Sequence, residues 1–165
     1  MLNLILPLEI FGQIRAALEK AGRREVGGVL LAEHVGPDAF AVLEITVHRR
    51  GTIASFVRRI EDALARITAF FQGVNHDYRR FNYLGEWHSH PSFEPEPSGR
   101  DDASMREIVQ EVGANFVALL IVKLDASGNL LASAHAYLPD GGKQRGTVTI
   151  KTNQGSPGPE HIQGS

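Results

Sequence analysis

The sequence predicts an α/β (α+β) single domain, a mixed β-sheet flanked by helices. Three observations predict it. The chain has 165 residues, a length that suits one domain with a real core. Runs of β-forming residues are interleaved with stretches whose apolar residues recur at helical spacing, the order expected of helices packed around a sheet. No internal repeat divides the chain. Hydrophobic residues make up 42% and charged residues 22%, which is ordinary for a soluble globular protein.

Taken in order, residues 3–6 predict a first short strand, and Pro7 opens a helix. Ile10, Phe11, Ile14, Ala17 and Leu18 form its apolar face, and Lys20, Arg23 and Arg24 supply a basic end that suits the helix dipole. Residues 25–33 predict a buried strand, whose paired glycines, Gly27 and Gly28, point to close backbone approach at its start. A turn at 36–38 leads into a second strand over 40–48, the two forming a hairpin. Residues 51–57 carry no clear pattern. Residues 58–73 predict a helix with Ile60, Ala63, Leu64, Ile67, Phe70 and Phe71 on one face. A polar, basic loop over 74–80 follows, and then a strand over 81–90 that Pro91 ends.

Residues 92–99 hold two prolines spaced with acids and predict an extended surface loop. A helix over 98–112 begins with Ser-x-x-Asp and ends at Gly113. Residues 116–124 form the most apolar strand, joined by a turn at 125–129 to its partner at 130–138. A turn at 139–142 and a short strand at 147–151 complete the fold. The domain is read as 1–151, with 152–165 a disordered tail that holds almost nothing apolar.

Composition narrows the function. A net charge of -2 gives no basic excess for nucleic acid or a membrane surface. The absence of cysteine removes disulfides, thiolate metal sites and cysteine nucleophiles together. Residues 1–8 are apolar, without a basic n-region or a small-residue cleavage site, and so make a poor signal peptide. No run approaches the roughly 20 apolar residues that a membrane helix needs. The expectation is a cytoplasmic protein.

The chemistry is concentrated in Gly85-Glu86-Trp87-His88-Ser89-His90-Pro91 and the residues running on to Ser98 and Asp101. In a strand, residues i and i+2 share a face, so His88 and His90 project together. Two imidazoles so placed can reach one zinc ion at ~2.0–2.1 Å, with Asp101 as a third ligand and the fourth position left to water. Zinc lowers the pKa of such a water from 15.7 towards about 7. Ser98-Gly99-Arg100-Asp101 is equally a capping box, and the two roles can coexist. A water-activating site also needs a base. Glu86 and Glu25 compete for it. Strand alternation favours Glu86, two residues before His88. Alternatively, Glu86 orients a ligand histidine and Glu25 is a solvated residue at the start of its strand. His34, His48, His76, His135 and His161 lack partners at ligand spacing and are read as ordinary core or surface residues.

Gly85 to Pro91, with Ser98 and Asp101 at their spacing, resembles the JAMM (MPN-plus, JAB) zinc metalloprotease signature: H-[ST]-H-P, then seven residues to Ser and two more to Asp. Residues 25–31, Glu-Val-Gly-Gly-Val-Leu-Leu, resemble the family's Glu-x-x-Gly-x-Leu strand. The resemblance covers about residues 3–140 and is greatest to the short prokaryotic JAB branch. Glu86 stands where many eukaryotic relatives carry an aromatic residue.

The resemblance implies a cytidine-deaminase-like JAB/MPN fold with one zinc ion (Zn2+) per chain held by His88, His90 and Asp101. It implies Glu25 as the base that activates the zinc-bound water and returns the proton to the leaving amine. It also implies Ser98 as the donor to the oxyanion, an interaction worth ~2.7–4 kcal/mol in other hydrolases. The filled motif argues for an active enzyme rather than a scaffold. The implied activity is that of an isopeptidase or peptidase cutting after the C-terminal tail of a ubiquitin-like protein or its conjugate, with E1-like and E2-like enzymes as companions, including in anti-phage defence. The alternatives are a non-catalytic MPN-type binding module, a processing peptidase for a sulfur-carrier protein, and a nucleic-acid-acting relative, against which the net charge argues.

Overall fold

The computed structural model describes residues 1–49 and 56–152, with side chains at 56–59 and 62 left aside. The expected tail beyond residue 152 lies outside the described residues, as does most of the 51–57 stretch. Among the described residues the chain forms β1 (Asn3–Pro7), α1 (Leu8–Ala21), β2 (Val26–Gly36), β3 (Ala39–Ile45), β4 (His48–Arg49) and α2 (Phe56–Gly73). It continues through β5 (Phe81–Ser89), α3 (Gly99–Val112), β6 (Val117–Leu124), β7 (Leu130–Tyr137), β8 (Lys143–Arg145) and β9 (Thr147–Lys151). No helix among these is long and apolar enough to cross a membrane.

The strands make one mixed sheet in the order β8-β7-β6-β5-β2-β3-β1-β9, with β4 paired to β2. β5 and β6 run parallel, as do β1 with β3 and β1 with β9, and the other pairs are antiparallel. β6 is central, and its continuous apolar run is explained by cover on both faces. Ala118, Leu120 and Val122 face the core that contains Ile10, Ile14 and Leu18 of α1, together with Trp87. Val117, Leu119 and Ile121 face Met105, Ile108 and Val109 of α3. α3 therefore covers the sheet face opposite α1.

The sheet also folds back on itself. β8 and β9 are separated only by Gly146, yet they lie at opposite ends of the strand order. Gly146 N–H donates to Ala134 O of β7 at 2.8 Å, and Thr147 N–H donates to Leu2 O at 2.9 Å. One crossing segment thus ties the two sheet edges together.

The structure corrects several expectations. The strand expected over 40–48 is interrupted at Thr46 and Val47. Thr46 is held out of the ladder: its carbonyl accepts the Trp87 indole N–H at 2.9 Å, and its hydroxyl accepts Val29 N–H at 3.0 Å. Gly28 lets this happen, since any Cβ there would collide with the Thr46 backbone. α1 ends at Ala21, so Arg23 and Arg24 lie beyond it, although Arg24 Nε still donates to Ala21 O. β8 was not expected, because its residues, Lys143, Gln144 and Arg145, are all exposed.

Candidate metal centre

β5 lies between β2 and β6, and its C-terminal end supplies the first candidate ligands. Alternation sends Trp87 into the α1-side core and His88 to the face under α3. His90 is one residue past the strand, but its N–H still donates to Val122 O of β6 at 2.9 Å. Ser89 between them accepts Val26 N–H on Oγ at 3.0 Å, which fastens β5 to the start of β2. His88 is 4% exposed and His90 6%.

The proline-rich loop then does two things. His90 Nδ1 lies 3.0 Å from Glu94 O. A carbonyl only accepts, so Nδ1 carries the proton and Nε2 of the neutral ring presents a lone pair. The loop ends at Ser98, the N-cap of α3. Ser98 Oγ accepts Asp101 N–H at 3.2 Å, and the Ser98 N–H and hydroxyl donate to Asp101 Oδ2 at 2.8 and 2.7 Å. This capping box turns the Asp101 carboxylate inward, where the residue is 3% exposed. The capping reading of Ser98 and Asp101 and the ligand reading of Asp101 are thus geometrically one arrangement.

The three side chains converge. His88 Nε2 and His90 Nε2 are 3.2 Å apart, His88 Nε2 is 3.3 Å from Asp101 Oδ1, and His90 Nε2 is 3.4 Å from Asp101 Oδ2. A tetrahedral zinc with ligand bonds of ~2.0–2.1 Å requires ligand atoms roughly 3.3 Å apart. The donor set and its spacing therefore fit zinc, and these residues form a group able to hold a metal ion. Burial alone would push the Asp101 carboxyl up; the hydrogen bond and charge of His88, with the Ser98 amide and hydroxyl, outweigh it and hold the group well below the usual carboxylate range. A buried anion facing two imidazoles is the electrostatic arrangement that a cation completes.

The two glutamates are separated by the strand register. Glu25 immediately precedes β2 and is half-buried. β2 pairs with β5 as Gly27↔His88, and two further steps along the antiparallel register set Glu25 opposite His90. Glu86 pairs with Val29 and Leu119, one step deeper in the sheet, and is 7% exposed. That register places Glu25 on the His90 side of the cluster and Glu86 on the far side of His88. His135, read from sequence as an ordinary residue, is buried and stands 3.4 Å from Glu96 Oε2 of the proline loop. No local spacing carries that signal, because it depends on the order of β5, β6 and β7.

Residues 7–135 match the family described as prokaryotic homologs of the JAB domain. A protein of Enterobacter hormaechei subsp. hoffmannii (strain UCI 50) named CD-NTase/cGAS isopeptidase is 31% identical over 125 residues, 70% of this chain and 64% of that relative. The match thus spans just under two thirds of the relative's length. A Desulfitobacterium hafniense protein with a known solution structure superimposes with a TM-score of 0.66 at 17% identity, covering 90% of this chain and 92% of the other, and shares the fold.

Proposed function

The chain belongs to the prokaryotic JAB family, and on that premise we propose that it is a zinc-dependent isopeptidase acting after the C-terminal tail of a ubiquitin-like or similarly conjugated protein. The observation that carries this is the buried His88, His90 and Asp101 group, whose mutual separations of 3.2 to 3.4 Å match one face of a zinc tetrahedron. The proposal assigns the activity to residues 1–151.

His88, His90 and Asp101 hold the metal. The ion supplies a polarised water and a Lewis acid for the scissile carbonyl. Glu25, on the His90 side of the cluster, takes the proton from the attacking water and returns it to the leaving lysine amine. Ser98, at the rim, redirects its hydroxyl from Asp101 Oδ2 to the developing oxyanion. Glu86 lies buried behind the ligand histidines. An extended substrate tail adds to a strand edge beside the metal, so that main-chain hydrogen bonds set the scissile carbonyl. β4, which pairs with Val26 and Gly27, is the strand nearest Glu25 on the side away from β5.

The name of the Enterobacter relative supports a conjugated protein as substrate and makes a CD-NTase-type conjugate the first to assay. The proposed setting, with E1-like and E2-like conjugating enzymes in cytoplasmic anti-phage defence, rests on the family resemblance. Glu25→Gln is expected to slow cleavage of such a conjugate by ~10²-fold or more, while metal analysis still finds about one zinc per chain. Undiminished turnover in that variant would sink the role of Glu25 and return the base to Glu86. Cleavage that survives exhaustive chelation would end the metalloprotease reading.

A further inference from the structure

Two carboxylates flank the turn that carries Asp101, and both are gripped by the same hairpin. Glu96 lies two residues before Ser98, and Asp102 directly follows Asp101. Asp102 Oδ1 accepts the Tyr137 hydroxyl at 2.7 Å, and Lys143 Nζ donates to both Asp102 oxygens at 3.0 Å. Two rungs along, His135 Nε2 stands 3.4 Å from Glu96 Oε2, and Arg145 Nη1 pairs with Glu96 Oε1 at 2.6 Å. Tyr137↔Lys143 and His135↔Arg145 are register partners in β7 and β8. Each carboxylate therefore meets a buried ring from β7 and a cation from β8.

We propose that the β7–β8 hairpin is a positioning element for the turn over residues 98–101, and through it for the third metal ligand. The part that concerns metal rests on the metallopeptidase reading above. The positioning of the turn does not.

β8 itself argues for this role. None of its three residues is buried, so core formation does not explain the strand. The contacts that its two cations make are to Asp102 and Glu96. The rings beneath are rigid, since Tyr137 is fully buried and His135 nearly so. Burial, then the Asp102 carboxylate, holds the Tyr137 hydroxyl well above its ordinary range, so it stays a donor at any working pH. At the first clamped end, Pro95 and Pro97 bracket Glu96 and limit how far the loop can swing. A single exposed ion pair would fix little. Two clamps two rungs apart on one face of the hairpin, one at each side of the capping box, fix both position and direction.

The test uses the full chain with Glu96→Ala, Arg145→Ala, Arg145→Lys and Lys143→Ala. Glu96 is on an exposed loop, so its truncation leaves the core intact. Amide hydrogen exchange at Ser98 and Asp101 in zinc-free protein reads the turn directly. Zinc affinity, measured by competition with a chelator, reads the consequence. Glu96→Ala and Arg145→Ala are expected to speed exchange at these two amides about 10-fold and to weaken zinc by about 10-fold, the low end for partners that orient a ligand. Arg145→Lys is expected to recover most of both, and exchange in β1 stays unchanged. Exchange and zinc affinity within twofold of wild type, with only the melting temperature lowered, would overturn the proposal. If wild-type protein binds no zinc, the metal reading fails and the exchange rates alone decide the positioning role.

Discussion

His88 is held from behind by its neighbour on β2. A Cβ added at Gly27 would lie 2.8 Å from His88 Cβ and would collide with the Trp87 carbonyl. Neither atom is the end of a flexible side chain, so β2 and β5 would have to separate. Gly27→Ala is expected to cost about 1–3 kcal/mol by overpacking, and to weaken zinc binding because the separation falls at a ligand. Thermal unfolding and a zinc titration on the same sample check both. Stability lost with zinc affinity intact would free Gly27 from the site. The clustering of the candidate ligands was legible because their relation is local: a two-residue step in a strand for the histidines, a three-residue cap for Ser98 and Asp101. Glu25 was not legible from spacing. Its place depends on how β2 and β5 align over some sixty residues, and only the family resemblance pointed to it.

α3 is the element on which two roles of one residue can be separated. Ser98 caps the helix and, in the proposed reaction, donates to the oxyanion. Replacing a capping serine by alanine costs about 1 kcal/mol, by glycine only a few tenths. Removing an oxyanion donor costs ~10²–10³ in kcat whichever residue replaces it. Ser98→Ala and Ser98→Gly are therefore expected to differ in melting temperature and to match in turnover. Turnover that follows stability would make Ser98 a cap and nothing more. Elements with a strong local signal were legible. α3 carries its own start and stop in Ser98 and Gly113, and β6 its unbroken apolar run. The break between β3 and β4 was not, since Thr46 leaves the ladder to serve Trp87 and Val29. β8 was silent because its value lies in the partners of Lys143 and Arg145 rather than in burial.

At the scale of the whole molecule, apolar patterning tells which faces are covered but not which strands adjoin. The mixed sheet and its helices were legible on that ground, and the closure of the sheet was not. β9 pairs with β1 across almost the entire chain, as in Asn3↔Thr147 and Ile5↔Thr149. The crossing from β8 to β9 passes at Gly146, where a Cβ would sit 2.6 Å from Leu2 O and 3.0 Å from Leu2 Cβ. Leu2 is buried in the α1-side core, and its carbonyl receives Thr147 N–H. An added methyl cannot move aside without opening that bond and lifting β9 from β1. Gly146→Ala is expected to cost about 1–3 kcal/mol, a fall of roughly 2–12 °C in melting temperature for a chain of this size. Gly12 provides the control, because it lies inside α1 with nothing within 4 Å of an added Cβ. There the same substitution is expected to stabilise by roughly 0.5–1 kcal/mol through helix propensity. Opposite signs at the two glycines would tie the cost to the crossing itself, whereas a Gly146→Ala protein as stable as wild type would show that the two sheet edges do not depend on it.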